Sequence, residues 1–239
     1  MNLGQPTFLR ERTFEHKSAN LGYDDLNVET VNGSRQYVTP SGNKYASITT
    51  VLSIRKRHII QEWRKRVGEE EANRISRAAC GRGTALHTLC ERYIKNIDPI
   101  LTGKEMPNVI QMFRAILPTI NTRVGIIYAQ ESALYSDHLG VAGRVDLVAE
   151  FDGVLSIIDF KSSSRVKDKE DIHEYFMQES AYAIMFEERT GIPVPRIVTI
   201  MGVDGQDKPL IFQEKRDDWT NELHKTISDY KRERIFKNA

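Results

Sequence analysis

Residues 140–165, GVAGRVDLVAEFDGVLSIIDFKSSSR, contain two apolar runs that flank the dipeptide Asp152-Gly153. Asp-Gly favours a two-residue type I′ turn, because both of its positions tolerate positive φ. The stretch therefore predicts a β-hairpin with strands over 141–151 and 154–161. A turn of two residues also fixes which residues of the two strands face each other.

The charged residues of this otherwise apolar hairpin include Asp146, Asp159 and Lys161. The predicted register places Asp146 opposite Asp159, and the alternation of side chains puts Lys161 on the same face. Opposed carboxylates repel each other at a Cβ separation of ~5 Å, and burial would force one to take up a proton. A divalent cation bound between them removes the repulsion.

We therefore predict that Asp146 and Asp159 are metal ligands. Lys161, two residues beyond Asp159, would then hold or polarise a water molecule or neutralise an oxyanion. The alternative is a solvated strand end, in which ordinary ion pairs balance these charges.

The composition restricts the function classes. Of 239 residues, 40% are apolar and 28% charged, with a formal net charge of +1, so any nucleic-acid surface must be local. The two cysteines, Cys80 and Cys90, are too few for a disulfide scaffold, a four-cysteine zinc site or an iron–sulfur cluster. We expect both to be small buried residues in a reducing compartment.

Targeting signals and membrane spans are not predicted. No apolar run reaches the ~18 residues of a membrane helix, and the first residues resemble neither a secretory leader nor a mitochondrial one. We therefore expect a cytoplasmic protein with no membrane partner. Nothing in the sequence specifies an oligomer.

Periodicity and turn residues divide the chain into an irregular arm, residues 1–46, and one domain, residues 47–239. The arm contains a small hairpin from Tyr37 to Tyr45. The domain reads as helices, a three-strand meander, a helix, a strand pair and a closing helix. After the first helical region its predicted elements are a helix over 108–120, strands over 124–135, 141–151, 154–161, 196–202 and 208–213, and helices over 171–189 and 217–235.

The first helical region begins near Thr49 and is expected to be interrupted. Gly81 and Gly83 punctuate the pattern, and Thr84 is a plausible N-cap for a new helix. This new helix would carry His87 near its beginning.

Four short motifs follow one another in a compatible order and spacing. They are GTALH, ending at His87; GRVD, ending at Asp146; DFK, from Asp159 to Lys161; and QESAY, from Gln178 to Tyr182. In this order they resemble the motifs of the RecB-like branch of the PD-(D/E)xK nucleases. The stretch 46–87 is similar to the corresponding region of phage exonucleases and of the mitochondrial genome maintenance exonuclease. The resemblance covers about 37–190, although no Pro-Asp dipeptide precedes Asp146.

The resemblance implies a fold class of α/β with a restriction-endonuclease-like core of order αβββαβ. In this core a central mixed sheet is flanked by helices, and the β-rich arm and the helical region precede it. It also implies a Mg²⁺ or Mn²⁺ cofactor. The implied metal ligands are His87, Asp146, Asp159 and the main-chain carbonyl of Phe160.

His87 has a second interpretation, because a lone histidine on a helix is commonly structural. If His87 is a ligand, we expect Mn²⁺ to support activity at least as well as Mg²⁺, since imidazole suits Mn²⁺ better.

The resemblance implies that Gln178 and Tyr182, which share a helix face, contact DNA phosphate or order the site. Their alternatives are solvent exposure for Gln178 and core packing for Tyr182. Ser162 is a further candidate for binding phosphate. Glu131 is a candidate ligand of a second metal, with a solvated edge position as the favoured alternative.

The segment 55–66, RKRHIIQEWRKR, concentrates seven basic residues, counting His58. Such a cluster is a candidate for gripping a nucleic-acid backbone. Trp63 within it would then stack on an unpaired base, or else be buried as an ordinary helix residue.

Together these features predict a metal-dependent DNA exonuclease that hydrolyses phosphodiester bonds. The family likeness favours single-stranded DNA ends as the substrate. The alternatives are a structure-specific endonuclease with the same fold, a non-catalytic DNA-binding or recombination accessory protein, and a hydrolase of small phosphate esters.

Overall fold

The structure is a computed structural model that describes residues 12–31, 34–97 and 106–238. Its helices are α1 (Ile48–Leu52), α2 (Arg57–Val67), α3 (Glu69–Ile94), α4 (Pro107–Arg123), α5 (His173–Thr190) and α6 (Thr220–Asn238). Its strands are β1 (Asn27–Val31), β2 (Ser34–Val38), β3 (Lys44–Ser47), β4 (Val124–Ser136), β5 (Val141–Phe151), β6 (Val154–Ser163), β7 (Arg196–Val203) and β8 (Leu210–Lys215). Short 3-10 turns lie at Ser53–Arg55, Lys169–Ile172 and Arg216–Trp219.

The strands form one eight-stranded sheet in the order β1-β2-β3-β5-β6-β7-β8, with β4 paired to β5. The β3–β5 and β6–β7 pairs are parallel and the others are antiparallel. A central mixed sheet flanked by helices confirms the predicted fold class.

Strand β5 is paired along all of one edge but only part of the other, and this positions the candidate site. Strand β4 runs along the whole of one edge of β5. On the other edge, β3 pairs with Val141 and Ala142, and β6 pairs from Leu147 to Phe151. Between them, residues 143–146 have no strand partner on that edge among the described residues, so the sheet is open there.

The hairpin of β5 and β6 has the predicted form. Its two turn residues have φ values of 50° and 74°, as a type I′ turn requires. The paired register ends at Leu147 and Ile158, so Asp146 and Asp159 follow directly after the last pair. They therefore lie where the sheet opens.

Apolar side chains cover both faces of the sheet. One face is covered mainly by α5 and α6, and the other by α3 and α4. The first core includes Val148, Ile157, Phe176, Phe186, Ile197 and Leu223, and the second includes Leu86, Tyr93, Phe113, Ile116, Ile158 and Ile200.

The predicted interruption at Gly81 and Gly83 is wrong, because α3 passes through both glycines and through Thr84 without a break. A glycine inside a helix costs only up to about 1 kcal/mol, whereas burying one leucine contributes roughly 1.5–3 kcal/mol. Residues such as Leu86, which is fully buried, therefore outweigh the glycines. The break lies instead at Gly68, whose φ of 86° separates α2 from α3.

The arm is part of the sheet. Tyr37 pairs with Tyr45 as predicted, in the β2–β3 hairpin. Upstream, the amides of Lys17 and Ala19 donate hydrogen bonds of 2.8 Å to carbonyl groups of β4. The division of the chain at residue 46 stays a prediction.

The cysteine prediction is half wrong, because Cys90 is buried and Cys80 is exposed. Cys80 lies on the solvent side of α3, where a thiol is not needed for packing. In the part of the chain that the structure describes, no helix is both long and apolar enough to cross a membrane.

Candidate active site

Asp146 lies at the opening of the sheet and is half-buried. Its Oδ2 accepts a hydrogen bond of 2.9 Å from the amide of Phe160 and lies 3.2 Å from Nδ1 of His87. Burial alone would raise the pKa of Asp146, but the charge and hydrogen bond of His87 lower it below its usual value. Asp146 is therefore an anion that the fold holds in place.

His87 reaches this carboxylate from α3. Leu86, Leu89 and Cys90 are buried against the sheet, and this anchoring aims the imidazole at β5. Burial lowers the pKa of His87, but the neighbouring Asp146 carboxylate raises it above its ordinary value overall.

Glu131 lies on β4 across from Asp146, because the pairs Gln130–Leu147 and Ser132–Val145 flank it. Burial, followed by the charges of Asp146 and Glu91, raises its pKa to about 7. The choice between a second-metal ligand and the favoured solvated edge position stays a prediction for Glu131. The residue is half-buried beside other ionisable groups.

His87, Glu131 and Asp146 form a set of potential metal ligands. One potential ligand atom of each residue lies within 4.8 Å of those of the other two. Among the described residues, this is the group of three or more histidine, cysteine, aspartate or glutamate side chains that lie so close together. One imidazole and two carboxylates suit Mn²⁺ and, less closely, Mg²⁺. A bound cation would also reduce the repulsion between the clustered carboxylates, so the residues present fit a divalent metal ion.

Asp159 is not in this set, although the sequence predicts it as a ligand together with Asp146. It is 1% exposed and forms an ion pair with Lys161. Burial raises the pKa of Asp159 to about 6, with a further contribution from Asp146 and opposition from Lys161. The contact of Phe160 with the cluster is made by its amide group.

Lys161 is held on two sides. Its ammonium group pairs with Asp159 and lies 4.9 Å from the ring centroid of Tyr175. Burial lowers the pKa of Lys161, but the charges of Asp159 and Asp146 raise it overall. Lys161 therefore keeps its proton at neutral pH.

Gln178 and Tyr182 lie on α5, and Gln178 reaches the carboxylate of Asp159. Nε2 of Gln178 donates to Oδ1 of Asp159 at 3.1 Å and to the Tyr182 hydroxyl at 3.4 Å. Tyr182 is buried and fills the opening beside Gly143, where an added Cβ would lie 2.7 Å from the tyrosine ring. Both residues therefore bear on the geometry of Asp159.

Three residues near the site are absent from the sequence-based candidates. Nε of Arg82 lies 3.4 Å from Oγ of Ser162, and Tyr175 contacts Lys161. Glu179 is fully buried and accepts a hydrogen bond from Thr199. Only the position of Glu179 inside QESAY gave a signal, because the other contacts are made across separate elements.

The basic segment 55–66 is largely engaged in ion pairs, and Trp63 is half-buried. Its pairs are Arg55–Glu222, Lys56–Glu174, Arg57–Glu233 and Arg64–Glu69. Such pairing reduces the positive charge that the segment offers to a nucleic acid.

Comparison with known proteins adds an independent finding. No match is found among curated protein sequences. The family model of the PD-(D/E)XK nuclease superfamily matches residues 69–238, which include α3, the β4–β5–β6 meander and α5. This match covers well over half of the chain and all of the clustered side chains described above. The chain belongs to the PD-(D/E)XK nuclease superfamily.

Proposed function

We propose that this protein is a metal-dependent DNA exonuclease that hydrolyses phosphodiester bonds, with a preference for single-stranded ends. The observation that carries the proposal is the cluster of His87, Glu131 and Asp146 beside the buried Asp159–Lys161 pair. The RecB-like order of motifs supports the exonuclease assignment and the single-strand preference.

His87, Glu131 and Asp146 would hold a divalent ion, Mg²⁺ or Mn²⁺. We also assign Asp159 and the Phe160 carbonyl to the metal site, as the motif order implies. When bound, such an ion supplies a Lewis acid for the phosphoryl oxygen and a water of lowered pKa.

Lys161 would orient the attacking water and balance negative charge that develops on the phosphate. It is suited to this role because it stays protonated and because Asp159 and Tyr175 fix its ammonium group. A preorganised cation of this kind stabilises the transition state more than the ground state.

Gln178 would order Asp159 through its amide group, and Tyr182 would support Gln178. Ser162, at the end of β6, would bind a phosphate oxygen of the DNA. These assignments make α5 a support for the reacting groups.

The experiment is the digestion of single- and double-stranded DNA labelled at the 5′ or the 3′ end, with Mn²⁺, Mg²⁺ or EDTA. We expect metal-dependent release of short products, which Asp159→Ala abolishes. Asp168→Ala is the matched control, because Asp168 is an exposed aspartate outside the cluster.

Circular single-stranded DNA separates the two nuclease assignments. An exonuclease leaves the circle intact, whereas nicking of the circle would replace the proposal with an endonuclease. If labelled DNA survives a high protein concentration with Mn²⁺, the proposal is replaced by the non-catalytic alternative, a DNA-binding or recombination accessory protein.

A further inference from the structure

We propose that Arg144, itself held by Asp25, is a positioning residue that keeps Glu131 in the backbone conformation needed for metal binding. The inference rests on the proposed function, since it assumes that Glu131 is a ligand. It goes further by assigning a supporting role to two residues outside the cluster.

The backbone of Glu131 is strained. Its φ is 49°, although it lies within strand β4. The other non-glycine residues with positive φ in the described ranges are Asn96 and Asp152, whose short polar side chains tolerate this region. Glutamate lacks that advantage, so surrounding contacts must hold Glu131 in place.

Arg144 supplies such a contact. On β5 it pairs with Ala133, two residues beyond Glu131, and its guanidinium group donates a hydrogen bond to the carbonyl oxygen of Glu131. This oxygen belongs to the peptide group whose orientation changes if residue 131 returns to an ordinary strand conformation.

Asp25 in turn fixes Arg144. Nη2 of Arg144 lies 2.8 Å from each carboxylate oxygen of Asp25. A guanidinium group held by a carboxylate in this way has a defined orientation. The arm thus reaches the candidate metal ligand through Asp25, Arg144 and the main chain of Glu131.

Without this support, we expect residue 131 to relax and its carboxylate to leave His87 and Asp146. Loss of an outer partner of a metal ligand commonly lowers metal affinity by about 10–100-fold. Arg144→Ala should therefore weaken Mn²⁺ binding within that range.

The test is calorimetric titration of the metal-free full chain with Mn²⁺. The matched control is Arg123→Ala, because Arg123 contacts both carboxylate oxygens of Asp152 at the other end of β4. We expect this control to bind Mn²⁺ within about twofold of the parent protein, since it leaves every outer partner of the ligands intact.

A second variant provides the test if Arg144→Ala does not fold. Asp25→Asn keeps the shape of Asp25 but weakens its hold on Arg144, and should reduce Mn²⁺ affinity by a smaller factor. Unchanged affinity in Arg144→Ala, or in Asp25→Asn if the former does not fold, overturns this inference alone. Absence of Mn²⁺ binding by the parent protein would instead overturn the proposed function.

Discussion

Gln178 donates a hydrogen bond from Nε2 to Oδ1 of Asp159 at 3.1 Å, while Lys161 pairs with the other carboxylate oxygen. The carboxylate is thus held at both oxygens, one by a neutral donor and one by a cation. This arrangement makes α5 a determinant of the geometry at β6.

Gln178→Leu should lower kcat about tenfold, because a lost hydrogen bond to a charged group is worth about 1.5–3 kcal/mol and Asp159 would be less well ordered. The measurement is steady-state cleavage of labelled single-stranded DNA with Mn²⁺. Tyr182→Phe is the control, since it removes only the hydroxyl contact at 3.4 Å. Equal effects of the two variants would contradict the special role of Gln178.

Lys161→Met should destabilise the protein by about 3 kcal/mol at pH 8, because it leaves Asp159 as an uncompensated buried charge. The double variant Asp159→Asn with Lys161→Met should recover most of that loss, since it leaves no charge behind. Urea unfolding measures both values. Lys95→Met, which breaks the exposed pair of Lys95 with Glu91, should cost less than about 1 kcal/mol.

Glu131→Gln should raise the melting temperature of the metal-free protein at pH 8 and weaken Mn²⁺ binding. The folded-state pKa of Glu131 is about 7, against a usual value of 4.5. The ionised carboxylate therefore opposes folding above pH 7, and this penalty disappears as the pH falls towards 4.5.

After allowance for partial exposure, we expect a gain of about 1 kcal/mol, or roughly 2–4 °C for a chain of this size. Scanning calorimetry at pH 8 and pH 5 checks the result. The difference from the parent protein should be present at pH 8 and small at pH 5. The exposed variant Glu70→Gln should show no difference at either pH.

Mn²⁺ affinity should rise with pH between about 6 and 8. Binding requires ionised Glu131, with a pKa of about 7, and a neutral His87, whose pKa is raised. Asp159, with a pKa of about 6, adds to the effect at the acid end. Each proton released changes the affinity up to about tenfold per pH unit. Titrations in buffers of different ionisation enthalpy count these protons, and binding without proton release would contradict the assignment.

Two glycines should respond to alanine in opposite directions. Gly81→Ala adds a methyl group in open space on α3 and should stabilise the protein by about 0.5–1 kcal/mol. Gly143→Ala places the methyl group 2.7 Å from the Tyr182 ring and should destabilise by about 1–3 kcal/mol. Thermal melts of both variants decide this, and a loss of stability in Gly81→Ala would contradict the continuous helix.

The sequence predicts best where local chemistry decides the structure. An Asp-Gly dipeptide between apolar runs admits few alternatives to a tight turn, so the β5–β6 register follows from it. The glycines of α3 predict a helix break that does not occur. The helix continues because neighbours such as Leu86 are buried against the sheet, and the local sequence does not show that burial.

The position of Glu131 beside Asp146 could not be predicted for a different reason. Its proximity to Asp146 depends on the register of β4 and β5, and the connection between these strands is longer than a two-residue turn. The positive φ of Glu131 and its support by Arg144 arise from contacts between distant segments. Periodicity carries no information about either feature.

The parallel pairing of β3 with β5 has a consequence for how the chain assembles. Ala46 pairs with Val141, so the N-terminal strands emerge during synthesis well before the strand that receives them. Contacts that join distant segments form late, because closing a long loop costs entropy before any pairing is gained. The edge of β3 that pairs with β5 therefore has no partner until β5 has been synthesised, and the eight-stranded sheet can be completed only after that.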